Sequence, residues 1–375
     1  MWCRVPVLVP TVGSSVFIGE RGNVFPRLIR LVGVRKGANG GRLGLNRKAG
    51  IGTVRVLTSR LSPGARLMLD LPTFLTELYV IIDDWDKTQP PEPRRPGPVP
   101  QLSRSEVLTI AVLGQWGRFA SERDYFRWAE CHLPPFFPRL PSRVQFSIAQ
   151  RRLSRRLEQV AIWLGQQPTA PNTPFEILDA TGLATRDCKR RGAGWLPQAA
   201  AVGQCTRLGW YEGVRLLVCR SPIGAITGYG LAPANTNDRR LADTLLAVRH
   251  LPHPDLPSAG TATTDRYLAD KGFTGRMWEA HWARDYQATV LCPPERDHRR
   301  HWSRGQRRRH AGRRQIIETV MDKLLNGFRL CRERPHQLAG LQARVAAKIA
   351  LHNACLLLNQ RAGRRPLAFA GLIDW

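Results

Sequence analysis

Apolar and polar positions divide this chain into stretches of different character. Residues 1–67 hold no sustained helical or strand period, are rich in Gly and Arg, and carry a single acidic residue, Glu20. Such a segment does not promise a packed core. From Met68 the run MLDLPTFLTELYVIIDDW sets Leu71, Phe74, Leu75, Leu78 and Ile82 at helical spacing, which predicts an amphipathic helix. The change marks Met68 as the natural start, with 1–67 an upstream extension of the reading frame or, alternatively, a basic arm.

Residues 89–100, QPPEPRRPGPVP, cannot be helical, because repeated proline removes donors and restricts the preceding residues. They read as a linker inside a small helical domain spanning 68–166. After it Ser103 is a candidate N-cap with Glu106 three residues on, opening a helix whose apolar face runs through Val107, Ile110, Ala111 and Leu113. The stretch PSRVQFSIAQRRLSRRLEQVAIWL reads as a helix with Arg151, Arg152, Arg155 and Arg156 opposite Phe146, Ile148, Leu153 and Leu157. Its basic face is either laid against a polyanion or simply solvated.

From Pro174 the pattern turns to strands. FEILDATGLA is followed by VRLLVCRSPIGAITGYGLAPA, with Pro222 and Gly224 between two apolar runs as in a hairpin. A helix in ADTLLAVRHL, a strand end in TATTDRYLADKGF turning at Gly272, a helix around 277–283 and a strand in QATVLCPP come next. Two helical stretches, GRRQIIETVMDKLLNGF and LQARVAAKIALHNACLLLNQ, close the chain, and the almost continuous apolar stripe of the second predicts packing against the sheet. A strand meander followed by alternating helices and strands predicts an α/β domain with a mixed sheet over 167–375.

Composition adds the partner. The formal charge is +28, from 57 Lys and Arg against 29 Asp and Glu. Self-repulsion of that size is tolerated where a polyanion offsets it, and nucleic acid is the leading one. No run of about eighteen uncharged apolar residues predicts a membrane span. Eight cysteines stand without any C-x-x-C pair, which excludes the usual zinc spacing and points to a reducing cytoplasm.

Three carboxylates stand where chemistry would choose them: Asp179 inside an apolar strand, Asp270 at a strand end before Lys271-Gly272, and Glu318 within a helix. A carboxylate in the middle of FEILDATGL is costly to bury unless it is paired or holds a metal. Oxygen ligands from separate elements favour Mg²⁺ or Mn²⁺, and two such ions suit an in-line phosphoryl displacement. Asp265 competes with Asp270, which is preferred because Gly272 lets the backbone turn and a substrate approach. Asp83 and Asp84 read as helix-bordering residues, and Asn235, Asn237 and Asp238 as turn chemistry. In RRHWSRGQRRRH, Trp302 among Arg299, Arg300, Arg304, Arg307, Arg308 and Arg309 reads as a DNA-contacting loop or, alternatively, as a disordered solvated charge run.

The ordered segments ILDATGLATRDCKRR, GWYEGVRLLVCRSPIGAITGYGLAPANTND, LADKGFTG and RRQIIETVMDKLL, with MLDLPTFLTELYVIIDDW at the front, resemble bacterial insertion-sequence transposases with an RNase H-like DDE domain, most closely the group numbered 982. The resemblance implies an RNase H-like mixed sheet flanked by helices, preceded by a helical DNA-binding domain. It implies Asp179, Asp270 and Glu318 as catalytic triad and ligands of two Mg²⁺ ions, which Mn²⁺ can replace. The implied partners are double-stranded DNA, as terminal inverted repeats and target, and further copies of the chain in the DNA complex. The implied location is the bacterial cytoplasm, at the nucleoid. Of the Tyr-x2-Arg-x3-Glu-x6-Lys signature of related transposases, Arg314 and Glu318 fit, while Ala311 and Leu325 depart from it and Lys323 lies nearby. Arg314, Lys323, Lys271, Arg307, Arg308, Arg309 and Trp302 are the candidate DNA contacts. The rivals are an RNase H-like nuclease or resolvase that only cuts, and a catalytically dead DNA-binding descendant of a transposase.

Overall fold

A computed structural model describes residues 68–91, 97, 99–170, 173–186, 189, 195–196, 198–252, 260, 262–294 and 302–375. The expectations for residues 1–67, for half of the proline-rich linker (92–96 and 98), and for Arg299 and Arg300 lie outside the described residues.

The helical part opens with α1, Leu71–Lys87, whose cap Asp70 accepts from the Thr73 amide at 2.7 Å. It continues with α2, Arg104–Leu113, started by the Ser103 and Glu106 capping box read from the sequence. Then come α3, Glu122–His132, α4, Arg143–Arg152, and α5, Ser154–Gln166. The single helix expected over α4 and α5 is two, broken at Leu153 (φ −92°, ψ 13°), where the chain turns to bury both Phe146 and Leu157. The arginines of that stretch consequently divide. Arg151 bonds the Gln337 side chain and Arg156 donates to the Pro90 carbonyl at 2.8 Å, whereas Arg152 and Arg155 are exposed.

The sheet is built from β2, Glu176–Arg186, β3, Ala201–Cys205, β4, Gly209–Arg220, β5, Ile226–Pro233, β6, Arg266–Leu268, and β7, Thr289–Leu291. Strand β4 is antiparallel to β2 on one edge, and its other edge is shared by β5 and β3, both antiparallel to it. On its far side β2 pairs parallel with β6, and β6 with β7. The β4–β5 hairpin turns at Gly224, whose φ of +94° suits the residue without a Cβ. Helix α6, Asp238–His250, makes the crossover from β5 to β6, and α7, Arg276–Asp285, the one from β6 to β7. A meander of antiparallel strands followed by two parallel strands reached through helices is the RNase H-like arrangement.

Alternation along β2 and β4 sends successive residues to opposite faces. Leu178, Leu217 and Cys219 meet Leu241, Leu245 and Trp282 of α6 and α7. Ile177, Leu216 and Val218 meet the helices of the other face. These are α8, Arg304–Asp322, and α9, Leu338–Arg361, the latter buried almost throughout. A strand of two residues at each end, β1 (Leu69–Asp70) and β8 (Ile373–Asp374), pairs parallel.

The expected boundary near residue 166 does not divide the packing, because α1 to α5, α9 and one sheet face share a single core. Asn353 of α9 shows how. Its Oδ1 accepts from the Ile226 amide at 2.9 Å, while Nδ2 donates to the Ile226 carbonyl at 2.9 Å and to Ala161 of α5 at 2.8 Å. At Gly165 an added Cβ would stand 2.0 Å from the Ile226 carbonyl, so only glycine lets α5 lie this close to β5. Each fully buried Leu or Ile in this core contributes about 1.5–3 kcal/mol. The helical segment is thus one wall of the core that it shares with the sheet.

Candidate active site

Parallel pairing places the first two carboxylates. Ile177 of β2 is in register with Leu268 of β6, and the same register carried two residues on sets Asp270 beside Asp179. Neighbouring strands lie about 4.8 Å apart. Asp270 lies two residues past the end of β6 and caps a short 3-10 turn, Lys271–Phe273, by accepting from the Gly272 amide at 2.8 Å. At that point β6 stops while β2 runs on against β4, so the pair sits at the carboxyl end of the parallel strands, where α/β sheets hold their ligands.

Helix α8 supplies the next groups. Arg220 at the end of β4 is completely buried and donates from Nη2 to the Arg313 carbonyl at 2.9 Å, which docks α8 on the sheet. The following residue, Arg314, reaches Asp179 Oδ1 from Nη2 at 3.4 Å. Glu318 lies one turn further along α8, exposed, and makes no hydrogen bond or ion pair among the described residues.

A third carboxylate belongs to this corner. Asp238, the first residue of α6, is ion-paired with Arg215 at 2.5 Å. A Cβ added to Gly272 would meet Asp270 Oδ1 at 2.9 Å and Asp238 Oδ2 at 3.5 Å, so both carboxylates face the same glycine. Arg239 donates to the Gly272 carbonyl at 3.3 Å and ties α6 to the turn. The electrostatics agree with the geometry. Burial pushes the Asp179 carboxyl up to about 6; the Arg314 charge works against this, and the charges of Asp270 and Asp238 add to it. Asp238 is raised by burial, against Arg215, with Asp270 adding. Carboxylates that oppose one another's ionisation in a half-buried corner are a functional-site signature.

Among the described residues no group of three His, Cys, Asp or Glu side chains is gathered to hold one ion. Asp179 and Asp270 do fit Mg²⁺, which binds through one or two carboxylates and completes its shell with water and substrate phosphate. Its charge would offset the burial, and the added repulsion from Asp270, that raise the Asp179 carboxyl.

The other residues singled out from sequence fall as follows. Lys271 is exposed beside Asp270, and Arg307, Arg308 and Arg309 are exposed on the first half of α8. The stretch expected as a DNA-contacting loop is helical from Arg304, because Ser303 and Gln306 form a capping box there. Trp302 is half-buried edge-on against His310 at 5.0 Å, so its ring is engaged within the fold. Lys323 sits 4.6 Å over the Phe369 ring, at the start of a π-helical segment, Lys323–Gly327, that continues α8. Asp265 is exposed and pairs loosely with Arg266 at 3.8 Å. Asn237 does cap α6, as turn chemistry predicted, but Asp238 next to it belongs to the site.

Sequence reasoning missed Asp238 and Arg220. A signal for Arg220 existed: a lone arginine ending the apolar run VRLLVC is as odd in a buried strand as Asp179 in its own. Glu176, three residues before Asp179, was also passed over. It is fully buried and paired with Arg249 at 2.6 Å, with Thr227 and Thr263 donating to Oε1 at 2.6 and 2.7 Å.

Residues 173–354, just under half of the chain, match the family model described as transposase DDE domain. The matched stretch contains Asp179, Arg220, Asp238, Asp270, Arg314 and Glu318. No curated protein and no solved structure matches the chain. No helix among the described residues is long and apolar enough to cross a membrane.

Proposed function

We propose that this chain, whose residues 173–354 match a transposase DDE domain, is a transposase that cuts DNA at the ends of its own insertion sequence and joins them to target DNA. The observation that carries the reading is the nearness of Asp179 on β2 to Asp270, just past the end of the adjacent parallel strand β6, with Arg314 3.4 Å from Asp179. The nearer assignment, to the insertion-sequence group numbered 982, rests on the order of the segments quoted above.

Asp179, Asp270 and Glu318 are the residues that would hold two Mg²⁺ ions, or Mn²⁺, which supply the charge compensation an in-line phosphoryl displacement needs. Glu318, exposed and unpaired one turn from Arg314, is free to join the two strand carboxylates when DNA and ions arrive. Asp238, held by Arg215, keeps the Asp270 turn in place. Arg314 offers a guanidinium fork to a phosphate at the same corner. Lys271, Arg307, Arg308 and Arg309 are exposed charges able to follow a DNA backbone, and Lys323 and Trp302 would contact DNA only by leaving Phe369 and His310. Water is the first nucleophile, and the freed 3′-hydroxyl is the second, so no side chain has to form a covalent bond to DNA. Several copies of the chain are expected to assemble on the paired ends of the element. A cytoplasmic, nucleoid-associated location follows from the substrate.

The test is a joining assay with Mg²⁺, using the DNA that flanks the coding sequence on each side as donor ends and a plasmid as target. Joined products support a transposase. Cutting without joining supports a nuclease or resolvase, and DNA binding without metal-dependent cutting a catalytically dead descendant.

A further inference from the structure

Away from the carboxylate corner, the α2–α3 connection, α4 and the segment following the π-helix enclose a cavity of about 310 Å³. Small-ligand sites begin at this size. None of Asp179, Asp238, Asp270, Arg314 or Glu318 lines it. Its charged lining is Arg329, Arg332, Arg334, Arg344 and Lys348 against Glu122 and Glu333. Both carboxylates are already engaged. Glu333 pairs with Arg344 at 2.8 Å and Lys348 at 3.0 Å, and Glu122 with Arg344 and Arg143, each at 3.5 Å.

Arg329 has no such partner. It is half-buried, its Nε is buried without an acceptor among the described residues, and its backbone is left-handed (φ 56°, ψ 30°). Glycine is the low-cost residue for that conformation, so strain and a buried Nε–H without an acceptor coincide at one position. Two more buried donors on the same lining lack acceptors, Trp116 Nε1 and Gln150 Nε2, the latter on a side chain only 5 % exposed. A buried donor without an acceptor destabilises the fold, and three around one cavity indicate an acceptor-rich guest. They come from three separate parts of the chain. A tetrahedral phosphate can present an oxygen to each, whereas a planar carboxylate has two oxygens to offer. Tyr125 and Phe328 line the same space and give an apolar surface for a sugar or base.

We propose that this cavity is a second DNA-phosphate or nucleotide site, in which Arg329, Gln150 and Trp116 donate to one phosphate group and the attached nucleoside lies against Tyr125 and Phe328. The site does not depend on the assignment of the catalytic carboxylates. Its phosphate belongs either to a free nucleotide or to a DNA strand.

The full chain is titrated calorimetrically with inorganic phosphate, deoxyadenosine monophosphate, unphosphorylated deoxyadenosine and a single-stranded pentadeoxynucleotide. Phosphate-bearing probes are expected to bind saturably and deoxyadenosine not. Arg329→Gly removes the guanidinium while relieving the backbone, so binding should fall by about tenfold or more with the melting temperature unchanged or raised. Gln150→Leu should weaken binding less, and Asp265→Asn, exposed and outside both sites, should bind like the parent protein. A pentanucleotide that binds more tightly than the mononucleotide, with the same loss in Arg329→Gly, assigns the phosphate to a strand; the reverse order assigns it to a free nucleotide. Absence of saturable binding to every phosphate probe overturns the proposal, as does unchanged binding in Arg329→Gly.

Discussion

Arg220 on β4 donates to the main-chain carbonyl of Arg313 on α8 at 2.9 Å, and through that contact the sheet holds the helix that carries Arg314 and Glu318. The other arm of the same guanidinium donates to the Ser221 carbonyl at 2.8 Å, at the start of the β4–β5 turn. A fully buried arginine bonded only to carbonyls is expensive. Its placement next to the Asp179–Arg314 pair gives the expense a function: it fixes how α8 approaches the carboxylates.

Replacing Arg220 by Met should therefore lower stability by about 1–3 kcal/mol, since two buried carbonyls lose a donor. Strand cleavage should fall more than DNA affinity, because α8 loses its anchor while the exposed basic surface remains. Urea unfolding measured beside cleavage and filter binding reads both effects. A variant that cuts at the parental rate would show that α8 is positioned by its apolar face alone.

Asp179→Asn, Asp270→Asn and Glu318→Gln should each reduce cleavage and joining by about a thousandfold or more while DNA binding persists. Losses in double variants should not add, because each change disables one shared site. Asp265→Asn is the control and should keep most activity, its carboxylate being exposed and only loosely paired. Asp238→Asn should lie between the two, since it releases Arg215 and loosens the Asp270 turn. Full activity in all three triad variants would end the metal-site reading.

Glu176 and Arg249 form the buried ion pair beneath the sheet, on the face opposite Asp179. Glu176→Gln leaves the guanidinium of Arg249 without its counter-charge, and a loss of about 3–5 kcal/mol is expected. Denaturant titration should register it, and DNA affinity at a temperature where the variant is still folded should be unchanged. A loss under 1 kcal/mol would mean that Thr227 and Cys219 carry the pairing instead.

Glu158 of α5 gives the pH prediction. Burial pushes its carboxyl up to about 8 from an ordinary 4.5, with the Arg155 charge opposing weakly. The folded chain therefore holds a proton there that the unfolded chain releases near its ordinary value, so this group's contribution to stability falls as pH rises from about 4.5 to 8. The slope is at most about 1.4 kcal/mol per pH unit. Glu158→Gln should match the parent below pH 4.5 and gain on it steadily up to pH 8, as read from melting temperatures across that range. A constant difference between the two proteins would exclude burial of the carboxyl.

Helices α1, α2, α6, α7 and α9, the β4–β5 hairpin and the strands β2, β6 and β7 were legible in the sequence because they follow from local periods and caps. Ser103 with Glu106, the spacing of Phe74, Leu78 and Ile82, and Pro222 with Gly224 act over a few residues and recur in the structure as read. Asp179 and Asp270 could be singled out for the same reason, since a carboxylate inside or at the end of an apolar strand is conspicuous by itself. Only tertiary structure decided what meets what. The parallel register of β2 with β6 sets Asp270 beside Asp179 across 91 positions of chain. The long reach of Arg220 to Arg313 turns α8 toward them, and the α6 crossover brings Asp238 to Gly272. The helical segment likewise reads as a separate domain from its own pattern, and it becomes part of one core because α9, from the far end of the chain, packs against it. Hydrophobic periodicity specifies which face is buried but carries no address for the partner, and that address is supplied by register, shape and the satisfaction of buried polar groups such as Asn353.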